Sequence, residues 1–347
     1  MAPRIPETES SEPKSPGYYS GKLAHEIGTD PNYRHKWYKK SMAFHGLVHL
    51  SALYGLYLCA TCIQLNTFLW TFALGMLSGE SITMGAHRLY SHRSFKASFS
   101  LRLALNIFQL LSGQNSMYTW VRDHRLHHKF SDTDADPHNA ERGFFFSHMG
   151  WLMTKKHPAV KEKYKTIDMS DLEADEIVMF QYKYFLPLYF LFSIFIPMAV
   201  PIYFFGESFW TSLFVCYFMR YCLSLNVTWT VNSLAHMFGY KPFDKYIKPC
   251  ENWFVSFIAL GEGWHNYHHA FPWDYKASEY GVKINLTTHL INMLAYFGHA
   301  HGLRTASDTI IASRIQRTGE SSDKTSADEL PKDVNEEVVL ATSTLGY

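Results

Sequence analysis

From Ser41 to Gly79 the chain reads SMAFHGLVHLSALYGLYLCATCIQLNTFLWTFALGMLSG, with no Asp, Glu, Lys or Arg. An apolar run of that length exceeds what one buried core helix needs. It suits two membrane-spanning helices joined by a short turn near Gln64, Leu65 and Asn66. A second pair follows. Tyr184 to Gly206 reads YFLPLYFLFSIFIPMAVPIYFFG, and the run from Ser208 to about Tyr240 is interrupted only by Arg220, with a turn at Gly206, Glu207 and Ser208. The prolines of the third segment are tolerable where neighbouring helices support the backbone. The pattern predicts spans at 42–63, 67–86, 184–205 and 208–231. The alternative is a large soluble helical protein with buried core helices.

Charge distribution gives the orientation. Arg34, Lys36, Lys39 and Lys40 precede the first hairpin, and a dense set from Arg88 through Lys183 fills the region between the hairpins. The turns inside the hairpins carry neither Lys nor Arg, so both termini and the middle region are expected on the cytosolic side. A net charge of +1 gives no reason to expect a nucleic-acid partner. Four of the five cysteines lie in apolar runs, which suits free thiols in a reducing compartment. The opening MAPRIPETESSEPKSPGYYS is polar and proline-rich, without the apolar core of a cleavable signal, and reads as a disordered tail.

The orientation gathers the histidines at one membrane face. His87 and His92 follow the second span, His124, His127 and His128 lie in the middle region, and His265, His268 and His269 follow the fourth span. In HRLHH and HNYHH the spacing i, i+3, i+4 puts three rings within about a 100° arc of a helix, so two such helices can aim six imidazoles at a common centre. In HRLYSH the two histidines are five apart. On an ideal helix they diverge, which predicts unwinding there or service to different metals. Neutral imidazole suits Fe, Cu, Zn and Ni.

Other metal readings fail. The chain has no HExxH. In FSDTDADPHN, Pro137 stands where a calcium loop needs Gly, and Gly143 where it needs a bidentate Glu. Soluble carboxylate-bridged di-iron bundles use two Glu-x-x-His motifs, whereas one, Glu262 with His265, lies near these clusters. A membrane cytochrome would place axial histidines inside the spans.

HRLYSH, HRLHHKFSDTDADPHN, NSLAH and HNYHHAFPWDY resemble the histidine boxes of the membrane acyl-CoA desaturases, the stearoyl-CoA desaturase family, with insect lipid and pheromone desaturases as the nearest look-alikes. The similarity covers residues 35 to 318, including RGFFFSHMGWL, KKHPAVKEK and RIQRTGE. It implies an all-α polytopic membrane protein with four spans and a cytosolic helical cap, flanked by disordered cytosolic tails at 1–34 and 319–347. The cap would hold two iron ions through His87, His92, His124, His127, His128, His236, His265, His268 and His269, with Asn232 contacting one iron through water. The implied reaction is O2-dependent desaturation of a long-chain fatty acyl-CoA, at Δ9 or Δ11, in the endoplasmic reticulum membrane.

Electrons would come from a separate cytochrome b5 and its NADH-dependent reductase, since the chain carries no dinucleotide fingerprint and no HPGG. The resemblance assigns Asn115, Arg122, Asp123, Lys155, Lys156 and Trp229 to the CoA head and adjacent acyl region. Read alone, Lys155 and Lys156 are equally a solvated basic pair, and Trp229 a core or interfacial residue. Ser116 and Thr119 stand where the family carries acidic residues, and no counterpart of a family Asn is found near Ser41. Gly75 and Gly79, four apart on the second span, deepen the closed end of an acyl tunnel or permit close helix packing, with packing favoured. Related hydroxylases and acetylenases share such boxes, and a histidine-rich metal-binding or transport protein is the non-enzyme alternative.

Overall fold

Each uncharged run is helical in the structure, a computed structural model that describes residues 27–279 and 285–320. Helix α1 is Lys39–Thr61, and α2, Leu65–Glu80, continues directly into a π-helical segment, Ser81–Ser91. Two helices outside the hairpin follow, α3 (Phe99–Ser112) and α4 (Met117–Phe130). Serine caps open both: Ser98 Oγ accepts from the Leu101 N–H, and Ser116 Oγ from that of Thr119. The second hairpin is α5 (Phe185–Phe205) and α6, which runs from Phe209 through a π segment at Ser212–Met219 to Met237. Beyond it lie α7 (Trp253–Ile258), α8 (His265–Ala270), α9 (Leu286–Tyr296) and α10 (Asp308–Thr318). Among the described residues the only sheet is an antiparallel pair, β1 (Lys96–Ala97) with β2 (Ala300–His301).

The helix ends lie close to the expected ones, except that α2 reaches Ser91 and α6 reaches Met237. α1 and α5 are long and apolar enough to cross a membrane, with mean hydropathy 1.3 and 2.1. Only 33% and 22% of their apolar stretches are buried, with Leu50, Leu53, Leu186 and Phe190 among the exposed side chains. Core helices of a soluble bundle would bury these faces; their exposure suits helices that cross a membrane. The two hairpin turns meet at one end, where Glu207 Oε2 accepts from the backbone N–H of Gln64 at 3.1 Å.

α1 packs on the π segment of α6, while α2 contacts α3, α5 and α6. The π extension of α2 is buried at every position and lies against α3 and α4. Residues 27–34, expected in a disordered tail, are instead fastened to the loop after α4. The Gly28 carbonyl accepts from the Asp134 N–H at 2.8 Å, and the Asp30 N–H donates to Asp134 Oδ2 at 2.9 Å. The rest of the expected N-terminal tail, and the C-terminal one beyond Glu320, lie outside the described residues.

The hairpins approach closely at Gly55 of α1, where an added Cβ would stand 2.3 Å from the carbonyl oxygen of Phe214. A side chain there must push α1 away from α6. Gly55→Val should therefore destabilise the fold by about 1–3 kcal/mol, seen as a lower melting temperature in detergent, whereas Gly46→Val, which meets no atom within 4 Å, should not.

Candidate metal centre

The π winding of Ser81–Ser91 resolves the five-residue spacing of HRLYSH. Its hydrogen bonds run i to i+5, and the bond closing the helix joins the His92 N–H to the His87 carbonyl at 3.1 Å. Residues five apart thereby come onto one face. The helix underwinds without breaking and the two histidines fall in one group, so of the two expected alternatives the structure shows the unwinding and not separate metals.

The six rings of HRLHH and HNYHH do not share a common centre. They divide between two, joined by His87, His92 and His236. One centre gathers His87, His92, His124, His128 and His268; the other gathers His127, His236, His265 and His269. In each group the candidate ligand atoms lie within 4.8 Å of one another. α4 gives His124 and His128, four apart, to the first centre and His127 to the second. α8 does the converse, with His265 and His269 facing the second and His268 the first. The two facing helices thus divide their histidines between two groups, which His87, His92 and His236 from other segments complete.

Carboxylates fix three of the rings from behind. Glu262 Oε2 lies 2.8 Å from His87 Nδ1, Asp136 Oδ2 lies 2.8 Å from His127 Nδ1, and Asp132 Oδ2 lies 3.1 Å from His236 Nδ1. An acceptor at Nδ1 requires the proton there, so Nε2 presents a bare lone pair to the centre. Glu262 is itself anchored by Arg88, whose Nη2 donates to Oε1 at 2.8 Å. Burial alone would raise this carboxyl, but the Arg88 guanidinium and the His87 ring outweigh it and hold it at about 2. Burial likewise pulls His127 down, and the adjacent Asp136 carboxylate more than restores it.

The Nε2 atoms face one another: His87 and His268 at 2.9 Å, His268 and His128 at 3.0 Å, His236 and His265 at 3.0 Å, His265 and His269 at 3.2 Å. One nitrogen carries at most one proton, so these multiple contacts bring lone pairs together. The buried Nδ1 atoms of His265 and His268 have no hydrogen-bond partner. Convergent, neutral, preoriented nitrogens fit a cation at each centre. A third group, His127, Asp136 and His138, shares His127 and its Asp136 support, and reads as the second centre's outer wall.

Asn232 borders the cavity beside the second centre and stands outside both histidine groups. Of the residues assigned to the CoA head, Arg122, Asp123 and Lys156 meet around Tyr164. Lys156 Nζ donates to Asp123 Oδ2 at 2.9 Å, the Tyr164 hydroxyl to Oδ1 at 2.6 Å, and Arg122 sits 4.2 Å over the Tyr164 ring. Lys155 is exposed, its N–H bonded to the Lys36 carbonyl, and Asn115 is exposed with φ +66°. Trp229 does not line the cavity. It is buried between α1 and α6 among the rings of His45, His49 and His148.

An apolar cavity of about 390 Å³ runs from the two centres, past His87, His124 and His265, down between α2 and α6 to Phe68 and Arg220. A polar chain crosses its upper part: Trp120 Nε1 donates to Gln114 Oε1 at 3.2 Å, and Gln114 Nε2 to Thr228 Oγ1 at 2.8 Å. Sequence reasoning missed Gln114 and Thr228, and also Asp132 and Asp136 as supports. Only the proximity of the acidic run to HRLHH hinted at the latter. Glu262 was noticed for its spacing to His265, yet it serves His87. Gly75 and Gly79 both line the cavity, and a Cβ at Gly75 would meet nothing within 4 Å, so helix packing is not its role.

The helical fold and the two imidazole groups at the head of an apolar cavity are compatible with a metal centre. A family profile described as fatty acid desaturase matches residues 63–280. Stearoyl-CoA desaturases of Sus scrofa and Homo sapiens are each 52% identical over 297 residues, covering 86% of this chain and 82% of theirs. An acyl-CoA Delta-9 desaturase of Acheta domesticus is 53% identical over 276 residues, covering 79% and 77%. The chain belongs to the fatty acid desaturase family, and it is an oxidoreductase of lipid metabolism.

Metal-free protein should be acid-sensitive. His92, His124, His128, His265, His268 and His269 are held well below the ordinary imidazole value, first by burial and then by neighbouring rings. Below about pH 6.5 the unfolded chain takes up protons that the native rings refuse, so stability is full above that pH and declines beneath it. Melting temperatures of chelator-stripped protein between pH 8 and pH 5 should fall toward the acid side, and a flat profile would contradict the argument.

Proposed function

We propose that this chain is an acyl-CoA desaturase that places a double bond at Δ9 or Δ11 of a long-chain acyl-CoA, with two iron ions as cofactor and O2 as co-substrate. The observation that carries this reading is the pair of all-imidazole centres at the mouth of a narrow apolar cavity. Removing two hydrogens from an unactivated methylene pair needs an oxidant stronger than any side chain, which iron with O2 supplies when bound at His87, His92, His124, His128 and His268 and at His127, His236, His265 and His269. The balance is one C–C single bond to a double bond and O2 to two waters, with two electrons and two protons added.

The chain's own residues position and exclude. Glu262, Asp136 and Asp132 hold three rings in the tautomer that points Nε2 inward. Trp120 and Thr228 narrow the cavity beside His124, which fixes which methylenes reach the centres, while the apolar wall keeps water out. Arg122 and Lys156 offer cations to the phosphates of CoA, with Asp123 orienting Lys156. Lys155 and Asn115 lie exposed, free to meet the head group, and Asn232 borders the second centre where a water would bridge it to iron. Trp229 acts by packing, holding α1 against α6.

Residues 35–318 form the catalytic unit, with four spans near the expected positions, both termini and the cap cytosolic, in the endoplasmic reticulum membrane. The hairpin turns, free of Lys and Arg and joined through Glu207, support that topology. Electrons come from cytochrome b5 and its NADH-dependent reductase.

Expression in a yeast strain lacking its own desaturase, with mass-spectrometric location of double bonds, tests the reaction. New unsaturated acids should appear, and His268→Ala should abolish them; hydroxylated or acetylenic products would favour the related oxidations. Purified protein should hold two irons per chain, and His268→Ala and His269→Ala, which strike different centres, should each lower that number toward one. Gly75→Leu fills open cavity and should shift the product profile to shorter chains at normal expression. An unchanged profile would show that the acyl chain does not reach Gly75.

A further inference from the structure

One wall of the cavity is made by side chains of α2 and α6 that are themselves exposed. Phe68, Phe72, Gly75, Met76 and Gly79 make a single stripe of α2 along it, facing Leu223, Val227 and Val231 on α6. Phe68, Phe72 and Leu223 line the cavity and are 42%, 59% and 48% exposed, so a water-sized group reaches the cavity lining at these side chains. Between them the stripe carries glycine, and the space before Gly75 holds no atom within 4 Å. On the inner side the same helices are closed: Ser78 Oγ lies 3.3 Å from Ser224 Oγ, and Thr71 Oγ1 donates to Cys216 Sγ at 3.1 Å.

We propose that the cavity has a second, lateral mouth between α2 and α6, at Phe72 and Leu223, open to the hydrocarbon of the bilayer. A lipid acyl chain occupies it until substrate displaces that chain. The proposal rests on the acyl-CoA desaturase reading and adds a lipid-facing exit to it. The chemistry of the mouth selects the occupant. Phe68, Phe72, Met76, Leu223 and Val227 offer no polar partner, so a head group would lose its hydrogen bonds there, whereas a hydrocarbon chain loses nothing. Arg220, at the deep end, is committed to the carbonyls of Cys216, Leu111 and Ser193 and recruits no anion. The mouth is continuous with the reaction cavity, so lipid and substrate chains exclude each other.

The test is photo-crosslinking in phosphatidylcholine nanodiscs, with p-benzoylphenylalanine replacing Phe72 and, as reference, Tyr57, which is exposed on α1 and borders no cavity. Without acyl-CoA both positions should capture phospholipid. Saturating stearoyl-CoA, without reductant, should cut the Phe72 adduct by roughly tenfold or more, as mass action requires, put a substrate adduct in its place, and leave the Tyr57 adduct unchanged. A probe at Leu223 reads the mouth from the opposite helix, should the Phe72 variant fail to fold. Radiolabelled stearoyl-CoA binding to the unsubstituted protein is measured in parallel. Normal binding with an undiminished phospholipid adduct at both mouth positions overturns the lateral mouth alone. Absence of binding overturns the acyl-CoA reading, and the mouth with it.

Discussion

Nine imidazoles converge in two groups with Nε2 atoms about 3 Å apart, an arrangement that a cation at each group would satisfy. That convergence organises the half of the molecule that carries the histidines. It explains why three buried carboxylates stand behind the rings, why Arg88 is almost completely buried to anchor one of them, and why burial holds six of the rings, His268 among them, well below the ordinary imidazole value. A carboxylate in the first sphere would soften the convergence. Here the carboxylates are one bond further out, where they set ring orientation and leave the centres to nitrogen.

The second constraint is alignment of the centres with the cavity. α2 carries both, since its α-helical part lines the cavity with Gly75 and Gly79 and its π-helical extension delivers His87. The hydrogen-bonding change at Ser81 therefore does more than bring His87 and His92 together; it fixes them relative to the apolar wall a few residues earlier. α6 repeats the arrangement, lining the cavity with Leu223 to Val231 before presenting His236. Site and cavity cannot drift apart, because two continuous helices contain both.

Much of this was legible in the chain. The charge-free runs gave the hairpins, because spanning helices need unbroken apolar length. The spacing of HRLHH and HNYHH marked histidines that cluster, but the common centre expected from one arc of each helix gave way to two groups. Less legible was anything set by contact between distant segments. That His128 faces His268 while His127 faces His269 depends on how α4 and α8 cross. Trp229, assigned to the substrate by resemblance, packs among histidines of α1 and the segment near His148, because its face of α6 turns away from the cavity. Gly75, favoured for packing, opens on space.

The sequence by itself determined that the chain is helical, where its apolar hairpins lie and which histidines can bind metal, since composition and periodicity are local properties of the chain. Only the tertiary structure decided that the rings form two groups, that Glu262, Asp136 and Asp132 stand behind three of them, and that an apolar cavity lies between α2 and α6 with Phe72 and Leu223 in its lining. Those facts belong to the relative placement of segments up to about two hundred residues apart, fixed by packing and burial, which no local pattern encodes.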